Sequence, residues 1–251
     1  MPKEVQFYLK KALTFFDLTA KTIPPVTFLV VLGMYFIYFY VEQLFLPAQL
    51  FPAGQLTDPG GAQGLTVEQP PLPLLLTGLA IILLINVISC VYLSAAIHDA
   101  KGEEYKPADC VYAVLRNFPR LFAVTLLKNF VIGAGLFLFV VPGIFLALVL
   151  LFSECAVLDQ NQSALAGLRR SGVLTNGRKR SLLKVELFCN LIVFSFLVLV
   201  LSLFVTNNVA VFQYILLFLI SLVTLVEKKL VAYLYVDAAR ETAKALSADP
   251  K

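Results

Sequence analysis

Between Arg120 and Asp159 the chain runs through 38 residues (121–158) with only two charged positions, Lys128 and Glu154. As one helix that stretch would measure roughly 57 Å at about 1.5 Å per residue, against about 30 Å for a bilayer's hydrocarbon core. The pattern predicts two spans, near 121–141 and 144–158, joined by a structural turn at Pro142 and Gly143. Proline inside a helix lacks a donor and clashes with the preceding turn, and glycine frees the dihedrals for a reversal. The alternative is a single kinked and tilted helix. Further apolar runs predict spans near 26–46, 72–96, 185–206 and 209–232.

Outside these runs the polar positions recur at helical spacing ahead of each pair of spans. In residues 3–21, Val5, Leu9, Leu13 and Phe16 fall on one face, and Lys3, Gln6, Lys10, Thr14, Asp17 and Lys21 on the other. In 107–120, Pro107 suits a first turn, with Val111, Val114, Leu115 and Phe118 on the apolar side. In 161–177, Asn161 or Ser163 can cap the start, Leu165 and Leu168 face one way, and Asn176-Gly177 can end the helix. The expected fold is all-α: a single integral membrane domain over 1–251, with six transmembrane helices in hairpin pairs and amphipathic cytoplasmic interfacial helices. The threefold pattern is either a repeat or the ordinary amphipathicity of loops between membrane hairpins. Residues 47–71, rich in Pro and Gly, read as an extracytoplasmic loop that contacts a partner or is simply floppy.

Composition fits a membrane class: 59% of residues are hydrophobic and 14% charged, where soluble domains are nearer one-quarter charged. The first residues lack a continuous apolar core and a small-residue cleavage site, so the first span is expected to serve as the targeting signal. Apart from Lys128, the basic residues gather before Pro24, in 97–120, in 159–184 and beyond Val226. The opposing segments, 47–71, 142–143 and 207–208, hold no Lys or Arg. The positive-inside rule then places both termini in the cytoplasm of a multi-pass protein of the cell (inner) membrane.

The chain offers little raw material for catalysis. His98 is the only histidine, and Cys90, Cys110, Cys155 and Cys189 show no metal-ligand spacing, so no catalytic, cofactor or metal site is expected. All four cysteines are expected to remain thiols. The basic run Arg169, Arg170, Arg178, Lys179, Arg180 and Lys184 abuts a span. It points to anionic lipid headgroups, at about 1 kcal/mol per basic residue, rather than nucleic acid; a plain topology signal is the other reading. Glu227, Lys228 and Lys229 fall at the cytoplasmic interface, where they snorkel or pair with Glu186. Asp237 and Arg240, three residues apart, suit a local pair.

Lys128 lies fourteen residues below Pro142 and Glu154 eleven below Gly143, depths of roughly 21 and 16.5 Å. Adjacent antiparallel spans would let the two face each other, with Asn129 nearby; separate snorkelling to the interface is the alternative. A lone pair implies that Lys128→Met and Glu154→Gln each lower stability in detergent, and that the double change recovers part of the loss.

Three stretches carry a resemblance: "VPGI" at 141–144, "ALAGLRRSGVLTNGRKRSLL" at 164–183 with Ser171 and Gly177, and "YLYVDAARE" at 233–241 with Asp237 and Arg240. Together they resemble the six-helix membrane domain of some bacterial glycerophosphodiester phosphodiesterases and the YciC-like family of inner-membrane proteins. The resemblance covers most of the chain except 47–71. It implies a membrane module and not a hydrolase, because the Glu, Asp and His residues of the phosphodiesterase metal site have no counterpart here. The expected function is a non-enzymatic module that assists an envelope or lipid-related process by binding membrane lipids or a protein partner in the membrane. The alternatives are a small transporter or channel for a lipid-like or small solute and, behind it, a lipid enzyme.

Overall fold

The computed structural model describes residues 3–14, 16–45, 72–176, 179–204 and 209–248; the 47–71 segment, Gly177 and Arg178 lie outside them. The described residues form α1 (Lys3–Leu13), α2 (Ile23–Phe45), α3 (Leu72–Lys101), α4 (Pro107–Leu138) and α5 (Val140–Val149). They continue through α6 (Ser153–Gln160), α7 (Ala164–Thr175), α8 (Lys179–Phe204) and α9 (Val209–Ala248). Among them, four segments are long and apolar enough to cross a membrane: Ile23–Val41, Leu76–Lys101, Pro107–Leu138 and Val141–Gln160. Their length and composition suit a membrane-embedded, all-helical protein.

Helix α3 is central and packs against α2, α4, α6 and α9. Its apolar window is 61% buried, against 22% for α4, which separates the bundle's core helix from one whose apolar surface is mostly open. The small side chains Ser89, Cys90, Ser94, Ala95 and Ala96 are all buried on α3 and let neighbouring helices approach closely. The helix ends at Gly102, whose φ of +77° only glycine adopts freely. Gly102 N–H donates to Asp99 O and Glu103 N–H to His98 O, a Schellman motif that satisfies the last carbonyls.

Several boundaries differ from the sequence expectation. Residues 107–120 do not form a separate interfacial helix but are the first turns of α4, 32 residues long and about 48 Å. Their exposed Val111, Leu115 and Phe118 continue along the helix into exposed Leu126 and Phe130. Helix α1 stops at Leu13. Beyond it, Lys229 Nζ donates to the carbonyls of Thr14 (2.6 Å) and Asp17 (2.9 Å), and Asp17 N–H closes a tighter turn onto Thr14 O at 3.0 Å.

The reversal after α4 falls at Phe139, extended at φ −159° and ψ 142°, and not at Pro142-Gly143. Pro142 occupies the first turn of α5, where its missing N–H costs nothing. Gly143 is helical and serves close approach: a Cβ there would lie 2.5 Å from Leu136 Cδ2 and 2.7 Å from Leu136 N. Contacts run antiparallel about this reversal, from Gly135 against Gly143, through Lys128 with Glu154, to Asn117 with Asn161.

The stretch expected as one span at 144–158 is broken between α5 and α6. Ser171 Oγ, buried on α7, accepts from Phe152 N–H at 3.0 Å and donates to Val149 O at 2.6 Å. A side chain inserted into the backbone ladder is a known cause of a sharp bend. Ser171→Ala would leave the buried Phe152 N–H and the part-buried Val149 O without that partner, and about 1–3 kcal/mol of stability should be lost, measurable as a lower unfolding midpoint in detergent.

Candidate functional site

The Ser171 break decides where Glu154 points. It starts α6 at Ser153, so Glu154 sits in the first helical turn, where the helix dipole favours a carboxylate. Glu154 is 3% exposed and lies between two lysines. Lys128 Nζ, from α4, donates to Oε1 at 2.8 Å, and Lys228 Nζ, from α9, donates to Oε2 at 2.5 Å. Thr125 Oγ1 lies 3.5 Å from Oε1 and Cys90 Sγ, on α3, 4.0 Å from Oε2. Four helices thus converge on one carboxylate.

Depths on the two sides match when measured from the bond of Arg120 to Asn161 O (2.9 Å). Lys128 is eight residues from Arg120 and Glu154 seven from Asn161, about 12 and 10.5 Å at helical rise. Lys228 keeps 9% of its side-chain surface open, whereas Lys128 keeps 19%. One carboxylate balances one ammonium, so the cluster retains a formal charge of +1 inside an apolar bundle, with Lys128 on its open side. The arrangement can hold an anion. It suits proton abstraction poorly, because both carboxylate oxygens already accept from cations.

A second polar cluster ties the ends of the helices together beyond this charged centre. Asp99 Oδ1 accepts from Thr19 N–H (3.3 Å) and Oγ1 (2.7 Å), and Oδ2 from Tyr233 OH (3.0 Å). Asp159 pairs with Lys101 and accepts from Tyr235 OH at 2.9 Å. Tyr105, between α3 and α4, stacks on His98, and burial pushes its phenol up. His98 itself bonds Glu103 at 2.8 Å.

Of the residues singled out from sequence, Lys128 and Glu154 are in contact. Lys228 was missed and placed at the interface instead. Counting residues along α9 gives the depth of its Cα but not the reach of its side chain back into the bundle. Lys229 likewise bonds backbone carbonyls rather than Glu186. Asp237 and Arg240 bond other elements instead of each other: Tyr8 OH donates to Asp237 Oδ2 at 2.7 Å, and Arg240 to Ala100 O at 3.0 Å. Arg169 and Lys184 are exposed, and Arg170 is half-buried with its Nε unpartnered. The side chains of Lys179 and Arg180 lie outside the described set. Ser163, not Asn161, caps α7, accepting from Ala166 N–H at 3.4 Å, while Asn161 ends α6 in the left-handed region. The four cysteines are free and buried. Among the described residues, no group of three or more His, Cys, Asp or Glu side chains could hold a metal. No family model matches the chain, and neither does any curated protein or solved structure.

Proposed function

We propose that the chain is a non-enzymatic, multi-pass membrane module that binds the anionic headgroup of a membrane lipid at the Lys128–Glu154–Lys228 centre. The observation that carries this reading is the charge balance, two lysines on one buried carboxylate. An uncompensated charge is costly within a span, and a lipid phosphate reaching Lys128 from the bilayer supplies the missing counter-charge. In this reading the chain has six spans, including 185–206 and 209–232, with both termini cytoplasmic. The basic residues of 159–184 then meet the same anionic leaflet, and no nucleic acid is involved. The resemblance to the phosphodiesterase membrane domains and YciC-like proteins agrees with a module and supplies no activity.

The test is lipid retention. Wild-type protein extracted in mild detergent should keep anionic lipid on native mass spectrometry. Lys128→Met should lose most of it while remaining folded, since a balanced Glu154–Lys228 pair is left. Equal retention in both proteins would overturn the assignment. The orientation has its own test: a cysteine at Gly61 should react with an impermeant maleimide in intact cells, and one at Ala248 should not.

A second reading, a small transporter or channel, draws on the same cluster, because ionisable groups gathered within spans commonly mark a solute path. Anion flux into proteoliposomes that is abolished by Lys128→Met, the variant that stays folded, would favour it over the lipid-binding module.

A further inference from the structure

Away from the charged centre, a cavity of about 260 Å³ opens between α1, the 14–22 linker, the end of α3 and α9. Its polar lining includes Lys11, Lys21, Lys229, Asp17, Asp99 and Tyr233. The charges are not equally available. Asp99 already accepts three hydrogen bonds, from Thr19 N–H, Thr19 Oγ1 and Tyr233 OH. Lys229 spends two donors on the Thr14 and Asp17 carbonyls, which leaves one of an ammonium's three. Lys11 Nζ and Lys229 Nζ lie 5.5 and 5.9 Å from the same Tyr233 ring, so two ammoniums crowd one wall. Lys21 and Lys11 are exposed at the rim and form no ion pair with a carboxylate among the described residues.

We propose that this cavity is a binding site for a phosphate group carrying a single negative charge, clasped between Lys11 and Lys21 over the buried Lys229. Three lysines against two aspartates give the lining a formal charge of +1, which one phosphodiester neutralises. The backbone already faces the site with fixed partners: Lys229 orders the linker, and Thr19 and Tyr233 hold Asp99 out of competition for the lysines. A phosphate here joins α1, α3 and α9 and fixes α1 on the bundle. The chemistry is shared by a phospholipid headgroup and by free phosphate, and the probes below separate them. The site has no residue in common with Lys128–Glu154–Lys228, so its failure leaves that reading untouched.

The full chain in mild detergent is titrated with inorganic phosphate and, separately, with a short-chain phosphatidylglycerol, and binding is followed by native mass spectrometry and thermal shift. Lys11→Ala/Lys21→Ala should weaken binding roughly thirtyfold, two lysines' share of headgroup attraction. Lys11→Arg/Lys21→Arg should restore it. Lys10→Ala/Lys244→Ala removes equal charge outside the cavity and should leave binding intact; the unliganded melting temperature of each variant checks its fold. A loss confined to phosphatidylglycerol assigns a lipid headgroup, and a loss for inorganic phosphate assigns a free-phosphate site. Binding that is unchanged in Lys11→Ala/Lys21→Ala, or weakened as much in Lys10→Ala/Lys244→Ala, overturns the proposal.

Discussion

Glu154→Gln should destabilise the protein far more than removal of either neighbouring lysine. Glutamine leaves the buried Lys228 and the half-buried Lys128 without a counter-charge, a situation that costs about 3–5 kcal/mol. Lys128→Met has a different outcome. It leaves Glu154 bonded to Lys228 as a balanced pair, and the apolar replacement suits a half-buried site, so the midpoint should move by less than about 1 kcal/mol. Here the structure revises the expectation of a lone Lys128–Glu154 pair, in which each single change would lower stability. Adding Lys128→Met to Glu154→Gln should recover part of the loss, and adding Lys228→Met as well should recover more. Unfolding midpoints in a fixed detergent settle the order. A glutamine variant as stable as wild type would show that the carboxylate is not the counter-charge of this cluster.

The second large effect is expected at Gly143. A Cβ there would lie 2.5 and 2.6 Å from Leu136 side-chain atoms and 2.7 Å from Leu136 backbone nitrogen. The facing Gly135 has Gly143 Cα 3.0 Å from where its own Cβ would be. Backbone cannot rotate out of the way as a flexible side chain can, so α4 and α5 must separate. Gly143→Ala should cost about 1–3 kcal/mol as overpacking, and Gly143→Val more. Gly33, with nothing within 4 Å of its position, is the control. Gly33→Ala should be neutral or stabilise by up to about 1 kcal/mol through helix propensity. If both alanine variants melt with the wild type, the Gly135–Gly143 crossing does not hold the hairpin together.

The amino-acid sequence by itself determined the helical, membrane-embedded class, because long apolar runs leave no other way to satisfy a backbone in lipid. It also favoured a chain that doubles back between Lys128 and Glu154 over a single kinked helix, since 38 residues exceed one bilayer crossing. It misplaced the reversal, because Pro142 and Gly143 each have a second use that local rules do not rank. Proline is as acceptable in a helix's first turn as in a turn, and glycine serves close contact as readily as a bend. Only tertiary structure decided the rest. The break at 150–152 depends on Ser171 reaching in from α7, and the linker after α1 is held by Lys229, more than two hundred positions away. Lys228 joined the charged centre for the same reason. A lysine's place along its helix is written in the sequence, but the direction its flexible side chain takes is set by which carboxylate the packed bundle leaves within reach.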